Sequence, residues 1–294
     1  LAACLAAAAA GLAQTPRFEH LGIEHGLSQS SITAIVQDSR GFMWFGTEDG
    51  LNRYDGSDFR IFRHDPDDPE SLSFNHIRAL CLDRSGALWV ATNGGGLDRY
   101  DSRLERFAHY RHNPTDPGSL SSDFVTAVAE DRAGNLWIGT NGGGLNRLDP
   151  SRRRLIRYRN STADPSSLGH NGVRAVLEDR SGTLWVATEG GLDMFDPDME
   201  AFLHRRGDPS DPDGLIASGV KCLCEDRDGT LWAGTGAGLC ALDRNRERFA
   251  VYRHEPRNPA SLCGDDVNAL FEDGSGTLWI GTDGGLARWR GGRA

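Results

Sequence analysis

The chain has 294 residues, 38% of them hydrophobic and 25% charged, enough for one large folded unit or two small ones. Its formal net charge of −10 argues against a nucleic-acid binder, whose footprint is basic, and disfavours docking on anionic lipid. After the N-terminal 1–13 stretch, no segment is apolar and long enough to cross a membrane as a helix.

Residues 1–13, LAACLAAAAAGLA, are apolar, low in complexity and too short to span a bilayer. They resemble the apolar core of a signal peptide, with cleavage expected at Gly11-Leu12-Ala13 before Gln14. Neither an initiator Met nor a basic segment precedes them, so the sequence is expected to begin inside the leader. Cys4 superficially matches a lipoprotein signal, but apolar residues continue after it, and plain secretion to the periplasm or beyond is the expectation. The remainder, 14–294, reads as one domain.

Six tryptophans, Trp44, Trp89, Trp137, Trp185, Trp232 and Trp279, recur 45 to 48 residues apart. That period signals a propeller or a solenoid. The units run at about 28–62, 73–110, 121–158, 169–205, 217–252 and 264–290. Each opens on a β-branched, near-alternating segment such as ITAIVQD or VRAVLED, which predicts a strand. An Asp-x-x-Gly turn follows, where the Asp can bond backbone N–H groups and the Gly can take φ > 0. The second strand carries Trp and ends on Thr47, Thr92, Thr140, Thr188, Thr235 or Thr282. Gly-rich residues lead to a third strand (GLNRYD, GLDMFD), and a fourth follows (FRIF, LIRY, FAVY).

The sixth unit has no fourth strand, while an unassigned strand, RFEHL at 17–21, precedes the first. Counting it there gives six copies of every strand, as in a ring closed by its own N-terminus. The fold class is therefore all-β: a β-propeller of six four-stranded blades. The alternative is part of a seven-bladed or longer array. The six Trp are expected in the blade cores, and Trp289, which replaces Tyr54 or Tyr100 in register, is expected to pack near the closing seam. Cys81, Cys222 and Cys224 fall where other units carry small or apolar strand residues, so they read as core filling and not as a metal or redox pair.

Long Pro-, Asp- and Ser-rich connections (RHDPDDPESLSFNH, RHNPTDPGSLSSD) link each fourth strand to the next first strand, and would meet the second-to-third-strand loops around the channel. The candidate ligand readers at this rim are Asn75, His76, Asp123, Asn171, Asp265 and Asp266. Arg78, Arg174 and Lys221 share one register position, completed by Thr33, Thr126 and Asn268, and this ring can donate to a carboxylate or to sugar hydroxyls. His64, His112 and His254 share the "RH(D/N/E)P" register and are expected to cap a turn. The nine His form no zinc signature, the TNGGGL loops lack the Lys and helix of a P-loop, and no G-x-S-x-G is present. Neither a metal, a cofactor nor a catalytic residue is assigned.

The strings LWVATEGGLDMFD and GLSQSSITAIVQDSRGFMWFGTEDGLNRYDG, with the linkers HDPDDPESLS and HNPTDPGSLS, resemble the two-component regulator propeller family over Pro16 to about Arg290. The resemblance implies the periplasmic sensor region of a membrane receptor, often two seven-bladed rings followed by a β-sandwich, a transmembrane helix and a histidine kinase or diguanylate cyclase output. It also implies downstream receptor domains as partners, a homodimer in the full receptor, and a small-molecule or oligosaccharide ligand. Six repeats without sandwich or output suggest a piece of a longer receptor, so no catalysis is expected in this chain. Two other readings stand beside the sensor. A polysaccharide hydrolase or lyase would need paired channel carboxylates, and a protein-binding scaffold would show an exposed apolar patch on the blade side.

Overall fold

A computed structural model of the protein describes residues 20–290 apart from 209, 210, 212 and 244. The leader-like stretch 1–13 and residues 17–19 of the expected closing strand lie outside the described residues. Six antiparallel sheets, each an up-and-down meander in chain order, are arranged as a six-bladed β-propeller. Five have four strands. Among the described residues the sixth has three, Val267–Glu272, Thr277–Thr282 and Gly285–Arg290. The first strands, Ile32–Gln37, Ile77–Leu82, Val125–Glu130, Val173–Glu178, Val220–Glu225 and Val267–Glu272, pack in succession and line the axis.

Each Trp is held by the Asp of its own turn. In blade 2, Asp83 Oδ1 accepts from the N–H groups of Ser85 and Ala87, while Oδ2 accepts from Trp89 Nε1 at 2.9 Å. The indole bond recurs in every blade, at 2.8–3.0 Å, from Trp44 to Asp38 through Trp279 to Asp273. A buried indole N–H must find an acceptor. The Asp-x-x-Gly turn was legible in the sequence; the Asp–Trp bond was not. Burial pushes the Asp83 carboxyl up, but the bonds from Ser85, Trp89 and Ala87 outweigh it and hold its pKa below the ordinary value. Each second-strand Thr closes its hairpin by donating to the carbonyl of the Gly that opens the third strand, as Thr140 does to Gly144 at 2.7 Å.

Blades join through two devices. The core merges Trp and third-strand Leu of one blade with the linker Leu, first-strand Ile or Val and third-strand aromatic of the next. One such cluster contains Trp44, Leu51 and Phe62 with Leu72, Ile77, Leu88 and Tyr100. At the turn side, the backbone N–H groups of Arg84, Arg132, Arg180 and Arg227 donate to Glu130, Glu178, Glu225 and Glu272 of the following blade at 2.7–2.8 Å. Arg152 and Arg246 reach back to Asp83 and Asp179 of the preceding blade. Both sit at positive φ, 59° and 61°, in the hairpins that carry them. The cysteines are filling, as expected: burial pushes the Cys222 thiol up to about 12 and the Cys81 and Cys240 thiols to about 11.

The first and last blades keep uncovered faces. Ile32 is 38% exposed, whereas Ile77, Val125, Val173, Val220 and Val267 in the same register are 0% exposed. Leu286 is 67% exposed, whereas its five counterparts from Leu51 to Leu239 are at most 1% exposed. At Gly139 a Cβ would lie 2.6 Å from Val173 of the next blade, while at Gly281 the nearest atoms belong to Ala269 of the same blade. The Arg–Glu clasp is missing here, where Gly274 and Gln37 hold its two positions, as it is between blades 1 and 2, where Ser39 and Leu82 hold them. Trp289 packs on blade 5, 5.1 Å from Tyr252 and 5.9 Å from Trp232 between ring centroids. Of the expected closing strand, His20 and Leu21 are described and neither lies in a strand.

Candidate functional site in the central channel

Every first strand carries a β-bulge at its second residue. Ile77 pairs with Thr92 and Ala79 with Ala91, so Arg78 is skipped by the ladder. Thr33, Thr126, Arg174, Lys221 and Asn268 are skipped in the same way. A bulge leaves its extra residue unpaired and re-aims the side chain. Here the six bulged residues line one cavity of about 530 Å³ on the axis, together with Glu189, Gly219 and Val220. The ring read from the sequence as one register position thus lines a single cavity, with one residue from each of the six blades.

Its charges are mostly paired. Arg174 donates to Glu189, and Lys221 to both Asp266 and the Asn268 side-chain oxygen, the last at 3.1 Å. Thr126 Oγ1 donates to the Val173 carbonyl at 2.6 Å. Glu189, in the second-to-third-strand loop of blade 4, is brought into the channel by its link to Arg174. No composition signal marks it, since only the hairpin geometry decides which loop acid turns inward.

Four other candidates have a different placement. Asn75, Asp123, Asn171 and Asp265 accept, through Oδ1, from the backbone N–H of His64, His112, Asn160 and His254 at 2.6–2.8 Å. They tie the ends of the linkers together and do not line the cavity. His64, His112 and His254 complete the tie through Nδ1 to the carbonyls of Leu72, Leu120 and Leu262. His76 lies at the rim, its Nδ1 3.5 Å from the Asn93 amide nitrogen and its Nε2 buried without a hydrogen-bond partner among the described residues. Asp266 is the rim acid that reaches the channel set, through Lys221.

Two rim linkers are anchored by His–Asp pairs, His109 to Asp98 at 2.7 Å and His204 to Asp193 at 2.8 Å, with Nε2 facing the Pro69 and Pro165 carbonyls. The Asp98 hydrogen bond raises the His109 pKa above its ordinary 6.5, against the effect of burial. The charged ring satisfies both acceptors at once. A raised folded-state pKa contributes stability that is present below about pH 6.5 and lost as pH climbs through the folded value. Wild-type melting temperature, relative to His109→Gln, should therefore fall between pH 6 and pH 8. A flat difference across that window would show that the pair carries no linked proton.

Six meander sheets around one polar channel define the class of six-bladed β-propellers. Six repeats matching the Two component regulator propeller family fall at residues 26–49, 71–94, 119–142, 167–190, 214–237 and 261–284, once per blade. The chain belongs to the two component regulator propeller family. It is 54% identical over 48 residues to Histidine kinase P4 of Formosa agariphila, a match covering 16% of this chain and 4% of that protein. Its fold is similar to the extracellular domain of a protein from B. thetaiotaomicron described as a hybrid two component system. That match has TM-score 0.72 and 27% identity, over 91% of this chain and 41% of that one. A second extracellular domain from B. thetaiotaomicron, described as a one component system, matches at TM-score 0.72 and 23% identity, over 93% and 36%. The chain therefore spans less than half the length of these relatives. Virginiamycin B lyase from Staphylococcus aureus shares the fold at TM-score 0.63 and 14% identity, over 88% of this chain and 81% of the lyase.

Proposed function

We propose that this propeller is the extracytoplasmic ligand-sensing module of a signalling receptor, binding its ligand in the central channel without catalysis and passing the signal to downstream domains. The observation that carries this reading is the six-bulge cavity, in which one register position of every blade is freed from the ladder and turned to the axis. The family and the extracellular domains of similar fold support an extracytoplasmic place. No helix among the described residues is long and apolar enough to cross a membrane. Glu189 and Asp266 each sit in an ion pair with a channel cation, which fits binding better than acid–base work by a carboxylate pair.

The test is thermal unfolding of the chain against a panel of oligosaccharides and small organic acids, with Thr126→Trp as a cavity-filling variant. The expected result is a ligand-dependent rise in melting temperature that the variant loses, with the ligand recovered unchanged. Chemical conversion of the ligand would overturn the non-catalytic reading. The uncovered faces of blades 1 and 6, with Ile35 58%, Phe271 65% and Leu286 67% exposed, favour a second reading, a protein-binding scaffold. A partner retained equally by wild type and Thr126→Trp would support it.

A further inference from the structure

We infer that the channel is built for an anion, a small ligand bearing a carboxylate, and that Arg78 is its anchor; this deepens the channel reading above and rests on it. Within each first strand the residue before the bulge is always Ile or Val and the residue after it is Ala or Cys. Blade packing dictates both neighbours. The bulged residue itself varies among Thr, Arg, Lys and Asn, because the ladder asks nothing of it. Its chemistry is free to serve the channel.

That chemistry leaves one cation over. Arg174 is matched by Glu189 and Lys221 by Asp266. Among the described residues Arg78 has neither an acidic partner nor a hydrogen-bond acceptor. The lining therefore carries an uncompensated positive charge in a chain whose formal net charge is −10, so the channel attracts what the rest of the surface repels. A neutral sugar can accept from the unpaired guanidinium but brings no charge to match it. A cation is opposed by it, and the available carboxylates are already bonded. A carboxylate matches the guanidinium fork through two parallel N–H···O bonds. Thr33 on the preceding blade lines the same cavity and adds a hydroxyl with no partner among the described residues.

The experiment is a titration of ¹⁵N-labelled protein with glucuronate and with glucose, which differ by a carboxylate in place of a hydroxymethyl group. Glucuronate should shift the amide resonances of Thr33, Arg78 and Thr126 at lower concentration than glucose. Arg78→Gln should weaken glucuronate by about tenfold or more, with Arg78→Lys retaining part of the affinity. Arg78 is exposed and outside the ladder, so both variants should fold, as an otherwise unchanged amide spectrum would confirm. Equal channel shifts from glucose and glucuronate, indifferent to Arg78→Gln, would overturn the anion inference and leave the channel reading standing. Glucuronate-specific shifts away from the axis would overturn both. Silence with both probes in the millimolar range would overturn the anion inference.

Discussion

Replacing Asp179 with Ala should cost on the order of 3 kcal/mol of stability, because it removes one acceptor from several donors at once. Asp179 is fully buried and accepts from the Ser181 and Thr183 N–H groups, the Ser181 hydroxyl, Trp185 Nε1 at 2.8 Å and Arg246 at 2.7 Å. The loss strands an indole N–H at the blade core and leaves the guanidinium of the next blade with Glu225 alone, 3.8 Å away. Urea unfolding of wild type, Asp179→Ala and Asp179→Asn checks this. The Asn variant keeps an acceptor for Trp185 and should fall between the other two. A loss within about 0.5 kcal/mol for Asp179→Ala, the range of an ordinary surface change, would show that the Asp–Trp bond is incidental to blade assembly. Burial raises the Asp179 carboxyl, but the bonds from Ser181, Trp185 and Thr183 prevail and its pKa lies below 3.8. A depressed folded-state pKa contributes stability that is present above about pH 4 and lost as pH falls through the folded value. The wild type should accordingly lose stability below pH 4 more steeply than Asp179→Asn.

The second large effect is a contrast within one register position. Leu239→Ala should cost about 2–5 kcal/mol, as buried Leu truncations do. Leu286→Ala should stay within about 0.5 kcal/mol. The side chains are chemically identical and hold the same place in their third strands, but Leu239 is 1% exposed and Leu286 67%. Leu239 lies between Trp232 of its own blade and Val267 of the next. Equal losses at the two sites, measured by urea unfolding, would mean that the face of blade 6 is covered in solution as the inner faces are.

The clasps show how far local sequence reaches. Glu130, Glu178, Glu225 and Glu272 each end a first strand, and in the chain they look like ordinary solvated strand ends. Their partners are N–H groups 45 or 46 residues earlier, on the preceding blade. Asn75, Asp123, Asn171 and Asp265 show the reverse. Their polarity near the channel made them ligand readers in the sequence, yet their oxygens are bonded to the linker backbone. Residue type and register do not say whether a side chain points at the axis or at its own loop.

What the amino-acid sequence determined by itself is the blade: six Trp-centred units, their period-2 strands, the Asp-x-x-Gly turn and the Thr that ends the second strand. Strand pairing within a blade is sequential and antiparallel, so alternation and turn chemistry suffice to specify it, and repetition confirms each reading six times. The tertiary structure alone decided what depends on a neighbouring blade. It set which skipped residues converge on one cavity, which channel cation lacks a partner, and which of two equivalent leucines is covered. Those outcomes follow from the packing of first strands about a common axis, and no single repeat contains the information about what will face it.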